Sequence, residues 1–309
     1  MHLSKRDLRD YLAGFALVLL MVAAATWLND YEVILPEIAA LTTGMWIYHN
    51  QNWLRQPYKI FLAPSGTAII GFFVNQLTLT YPAKVLLALA LMLLLLSVLQ
   101  STLAPAFATG LLPIIVNATH WSFIVAIFLF TFILMVGVLL RGLHKGLGNG
   151  LGASYQTIFI FIGAVIVWTG AVWLVGQPQM AAIPPVLVVF FEVLQQPTYS
   201  GKMASKQIIT LAGAATIGVL VHLLFSAWLV TTLISLPLVF GLLQLLHLKL
   251  PAAYAFPLLG LVLPTNMFRT LPLTALLAAT FFLGFSFSYK KFMAVNKPII
   301  DPSKNKVNR

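Results

Sequence analysis

Twelve apolar runs, joined by short polar connections, dominate the sequence and decide what the chain can fold into. They fall at 11–28, 34–48, 60–79, 83–99, 103–116 and 121–140. After a glycine-rich stretch they resume at 157–175, 183–194, 208–224, 226–246, 250–263 and 271–289. Hydrophobic residues fill 60% of the 309 positions and charged ones only 8%, where a soluble domain is about a quarter charged. Polar surface is too scarce to coat a globule of this size, which excludes a soluble enzyme and a disordered chain. A spanning helix takes about 20 apolar residues. The fold class expected is therefore all-α, a polytopic transmembrane bundle of about 10–12 membrane segments. The first run follows Lys5, Arg6 and Arg9 as a signal peptide would. It is long for one, and no small-residue cleavage site follows, so it reads as the first span.

Four runs, at 34–48, 103–116, 183–194 and 250–263, are too short for a straight span. They read as half-helices, broken helices or buried spans, and the sequence leaves open whether they cross or re-enter. They occupy equivalent places in two halves. A shift of 147 sets Lys59 on Lys206, Gly66 on Gly213 and Gly71 on Gly218. A shift of 148 sets Pro36 on Pro184, and one of 146 sets Pro105 on Pro251. The expected organisation is two six-segment membrane repeats at 1–141 and 157–289, a Gly-rich cytoplasmic linker at 142–156, and a basic cytoplasmic tail at 290–309.

The net charge is +11, from 18 Lys and Arg against 7 Asp and Glu. The basic residues sit between apolar runs, as the positive-inside rule requires, and not in a nucleic-acid patch. With a cytoplasmic N-terminus and every segment crossing, only Lys84 and Arg269 fall outside. Both termini are then cytoplasmic, and the repeats are parallel, related by an axis along the membrane normal. A cell membrane is the expected location. The linker lacks the Gly-Lys-Ser/Thr of a phosphate loop. Cysteine is absent, and no His, Asp or Glu spacing suggests a metal. No cofactor is expected.

Two acids stand inside apolar runs. Glu37 follows Pro36, and such a costly group marks either a solute path or an interfacial partner. Glu192 is read as a structural ion pair with Lys202. Pro64 beside Ser65, Gly66 and Thr67 is expected to loosen a helix, as is Pro105 near Thr109. Loosened backbone lining a cavity offers N–H donors to an anion. Gly213, Pro251 and Tyr254 are the matching positions of the second half. The alternative for these small residues is close helix packing. Arg55, Lys59 and Lys206 form an electrostatic mouth that raises local anion concentration.

The proline blocks carry a resemblance. Leu35 to Leu41, then Arg55-Gln56-Pro57-Tyr58-Lys59, the glycine-containing stretch from Ala63 to Gly71 and the block 101–113 resemble the HPP family of integral membrane proteins. The second half repeats the scheme from Ile183-Pro184-Pro185 to Leu250-Pro251-Ala252. Ala104 and Leu250 stand where that family has its histidine, and Ala106 and Ala252 where it has its second proline. Any role of the histidine cannot be carried over. The resemblance implies small-anion, nitrite-like transport.

The function expected is a non-enzymatic transporter or facilitator of a small, anionic solute, with its site between the repeats and Glu37 as a proton-coupling carboxylate. The alternatives are a non-transporting membrane subunit or scaffold, and a lipid-handling membrane protein. Expected partners are membrane lipids and the solute, with a second copy or a membrane-complex partner left open.

Overall fold

A computed structural model describes residues 4–148, 152 and 154–295. Part of the glycine-rich linker (149–151 and 153) and the tail from 296 to 309 lie outside the described residues. Two four-residue helices, Gln51–Leu54 and Thr265–Phe268, sit in connections. The remaining α-helices are α1 (Lys5–Leu28), α2 (Pro36–Thr42), α3 (Pro57–Asn75), α4 (Tyr81–Val98), α5 (Ala106–Ile115) and α6 (Trp121–Leu140). They continue as α7 (Tyr155–Leu174), α8 (Pro184–Gln195), α9 (Gly201–Leu224), α10 (Trp228–Leu246), α11 (Ala255–Val262) and α12 (Leu271–Val295). No strand occurs among the described residues. The protein is an all-α polytopic bundle, and among the described residues nine segments are long and apolar enough to cross a membrane.

Residues 290–295, assigned from the sequence to the tail, extend α12, and Tyr155 and Gln156 of the expected linker already belong to α7. The short helices begin at prolines. Pro36 and Pro184 open α2 and α8, where a missing N–H costs nothing. Pro105 precedes α5, and Pro251 opens a 3₁₀ turn, Pro251–Tyr254, that leads into α11. α2 runs on through a π-helical turn, Thr43–Ile47.

Side-chain bonds fix the direction of each segment. Arg141 pairs with Asp10, joining the end of α6 to the start of α1. Lys59 donates to the Gln100 carbonyl at 3.0 Å, Lys206 to that of Leu246 at 2.8 Å and Lys290 to that of Leu194 at 2.8 Å. These ends share the N-terminal face. On the far face, Glu32 accepts the backbone N–H groups of Thr119 and His120, each at 2.9 Å, and caps α6. Asn75 there donates to Asn117. Chain 101–117 therefore passes from one face to the other. Its ten helical residues rise about 15 Å, and the extended lead-in supplies the rest of a hydrocarbon core of about 30 Å.

All residues of α2, α5 and α11 are buried, as is most of α8. The long helices ring them and turn Leu20, Leu94, Val125 and Leu233 outward. α3 packs on α4, α5 and α6, and α9 on α10, α11 and α12. Across the halves α2 meets α11 and α5 meets α8. A Cβ on Gly66 would meet Leu95 and one on Gly213 would meet Leu242. A Cβ on Gly71 would stand 1.8 Å from the Gly110 carbonyl oxygen, and one on Gly218 would stand 2.7 Å from Pro257. Each pair lies 147 residues from its counterpart.

Gly71→Ala forces α3 from α5 and should lower the thermal midpoint in detergent, at a cost of about 1–3 kcal/mol. Gly163→Ala, on α7 with open space around it, should leave the midpoint unchanged or raise it. Equal midpoints for the two variants would contradict the α3–α5 packing.

Candidate functional site

The first turns of the four short segments converge on one small cavity. Pro36, Glu37 and Ala40 line it from α2, Pro105, Ala108 and Leu112 from the α5 segment, Pro184, Pro185 and Val188 from α8, and Ala252, Ala255 and Leu259 from the α11 segment. Its volume is about 10 Å³, room for about one water. The lining is apolar except for one side chain. Glu37 is 1% exposed, its Oε1 has no hydrogen-bond partner, and its carboxyl reaches only its own backbone N–H. No ion pair among the described residues includes it. The position that matches it in the second half is Pro185, so the cavity holds one carboxyl and not two.

The cavity adjoins others toward the far face. It shares Pro184 and Leu259 with a narrow apolar cavity. That one shares Ile115, Gln179 and Met267 with an open vestibule of about 450 Å³. Asn75, Tyr81, Lys84, Asn117 and Asn266 line the vestibule. Lys84 donates to the Asn75 carbonyl at 2.6 Å.

The helix starts aim their positive dipole ends at the cavity. Their N–H groups are already used. Those of Phe107 and Ala108 donate to Ala104 and Pro105, and those of Val186 and Leu187 to Ile183. Prolines 36, 184 and 185 have none to offer. An ion in the cavity would feel the dipoles as a field and find few free backbone donors.

Other sequence-predicted residues lie elsewhere. α3 is continuous through Pro64, so Ser65, Gly66 and Thr67 are not loosened. The Thr67 and Thr109 hydroxyls lie 2.7 Å apart, one donating to the other, and the Pro64 carbonyl lies within hydrogen-bond reach of both. They lock α3 to α5. Gly66 and Gly213 make room for leucines of the neighbouring helices. Ser65 is buried, with its hydroxyl unpartnered. Pro251 adjoins the cavity residue Ala252. Tyr254 is fully buried and turns its hydroxyl to that of Tyr48, 3.4 Å away, in a cluster with Tyr11 and Phe15. Arg55, Lys59 and Lys206 do share the N-terminal face, with Lys59 and Lys206 capping helix ends.

The expected Glu192–Lys202 pair is corrected. Lys202 is exposed on the first turn of α9 and is in none of the ion pairs among the described residues. Glu192 is partly buried and lies near the Trp53 indole. Sequence reasoning passed over Trp53 because it lies in a polar connection. It also missed Asp10 with Arg141 and His49, and Glu32 as a helix cap.

No family model, curated protein or solved structure matches this chain.

The two buried acids should respond differently to substitution. Glu32→Ala strands two backbone N–H groups and should destabilise by about 2 kcal/mol or more. Glu37→Gln breaks no bond to another residue and should leave the thermal midpoint unchanged or raised. A fall for Glu37→Gln as large as that for Glu32→Ala would assign Glu37 a structural partner.

Proposed function

We propose that the protein is a proton-coupled carrier of a small anion, built from two copies of a six-segment unit, with its site at the central cavity. The observation that carries this reading is Glu37. It is an unpartnered carboxyl, almost fully buried, at the one place where all four broken segments meet. An ionisable group so placed is costly and marks an ion or solute path. Toward the far face, neighbouring cavities share lining residues with it.

The anion follows from the field. Helix starts from both sides point at the cavity, each equivalent to about half a positive charge. An ionised Glu37 cancels this field and repels an anion. A proton on Glu37 removes the repulsion, so proton and anion enter together and leave together. The lysines and arginines of the N-terminal face support a cytoplasmic side there by the positive-inside rule, where they would concentrate anions. The similarity of the proline pattern to HPP proteins adds nitrite to the anions to be tried.

A second reading, a non-transporting membrane subunit, draws on the cavity's closure around a space of one water. A stable companion recovered from mild detergent, together with absent flux, would favour it.

The test is uptake into proteoliposomes of nitrite, formate and nitrate, with and without an inward proton gradient. The wild type should accumulate at least one anion when the gradient is present. Glu37→Gln should keep exchange of that anion across the membrane and lose the gradient-driven accumulation. No flux above empty liposomes for any of the three anions would reject the reading.

A further inference from the structure

α2 and α8 run from the far face past the cavity toward the N-terminal face. Residues four apart on a helix share a face. Ala40 and Val188 line the cavity, and four residues farther stand Gly44 and Glu192. The space between them is taken by Trp53, which comes from the short helix Gln51–Leu54 and is 4% exposed. Its ring lies so close to Gly44 that a Cβ there would stand 2.0 Å from Cζ3. The ring lies near Glu192. The fold delivers it there deliberately. The π-helical turn Thr43–Ile47 ends α2, and the Asn50 N–H donates to the Gly44 carbonyl at 2.8 Å, so the chain doubles back beneath its own helix.

The two sides of the cavity differ. Toward the far face it adjoins other cavities through shared walls. Toward the N-terminal face, the cavities near Gln100 and near Lys290 share no lining residue with it. Trp53 lies in that interval on the α2–α8 side. Phe107 and Phe191, packed edge to face at 4.8 Å, close the α5–α8 side.

We propose that Trp53, lodged over Gly44, is the gate of the N-terminal face, and that this structure is the closed-inside state of the carrier. The gate rests on the transport reading for its purpose and on geometry for its existence. Opening requires the ring to leave the Gly44 notch. Phe107 and Phe191 belong to the wall, since both sit in a stack with Phe161 and Phe190 that ties α5, α7 and α8 together. Trp53 stands on a four-residue helix in a connection and can swing without moving a membrane helix.

The chain has no cysteine, so Ala40→Cys places a single thiol in the cavity. A membrane-impermeant maleimide is applied to each side of sealed vesicles of known orientation. The thiol should react from the far face and be protected from the N-terminal face. Adding Trp53→Ala should raise the rate from the N-terminal face by about tenfold as the closed state loses its advantage. Adding Gly44→Ala, whose methyl group would occupy the place of the ring, should raise it by a smaller factor. This second variant decides the matter if Trp53→Ala does not fold. An unchanged rate from the N-terminal face overturns the gate, and so does a thiol that reacts from neither face in any variant. The labelling needs no substrate. Shifted labelling without anion flux counts against transport and for the gate; flux with unshifted labelling counts the other way.

Discussion

Inside a bilayer every backbone N–H and C=O must be satisfied by the protein itself. The architecture follows from how this chain meets that demand in four segments that stop being helical partway across. Their extended lead-ins would be intolerable against lipid. They are tolerated because all four segments stand at the centre, enclosed by long helices. Local 3₁₀ bonds, such as Ala106 N–H to Leu103 and Ala253 N–H to Leu250, use up the groups that the interrupted helices release. Close packing completes the seal. Gly71 against Gly110, and Gly218 against Pro257, let α3 and α9 touch the backbones of α5 and α11 directly.

That solution also creates the site. A helix that begins in mid-membrane points its dipole into the protein interior, and four such starts at one level leave a polarised, nearly dry pocket. Most of its lining is Ala and Pro, small or rigid residues with no polar atoms in their side chains. One carboxyl in such a pocket has no competition for a proton or a solute. The same residue on a wet surface would carry no functional meaning. Glu32 shows the contrast, for it is buried as deeply and fully occupied by Thr119 and His120.

The long helices were legible because a continuous apolar run has a length that can be compared with a membrane. The short segments were legible as anomalies, through Pro36, Pro105, Pro184 and Pro251, and Glu37 was legible as a carboxyl inside one of them. Their crossing was not, because an extended lead-in has no period to read. Ser65 to Thr67 misled for a different reason. A proline weakens a helix by leaving the carbonyl four residues earlier without its N–H partner, but the Thr67 and Thr109 hydroxyls, 2.7 Å apart, hold α3 against α5. Glu192 was matched to Lys202, a basic residue close to it in sequence, whereas the fold turns it toward a tryptophan about 140 residues earlier. Gly44 held the missing signal. A glycine one turn beyond a small alanine, in an otherwise bulky segment, leaves a notch that some large side chain must fill.

The corresponding positions of the two halves sharpen this view. Where they carry like residues, as Gly71 and Gly218 or Lys59 and Lys206, the contacts recur and hold the bundle together. Where they differ, the differences gather along one line through the molecule. Glu37 stands opposite Pro185, Gly44 opposite Glu192, and Trp53 opposite Ser200. A strictly symmetric chain would place two carboxyls in a cavity the size of one water, where like charges repel. Breaking the symmetry lets one half supply the buried carboxyl, the notch and the bulky side chain that fills it. If the protein is the carrier proposed above, the difference its two faces need is written into the residues at which the two halves depart from each other.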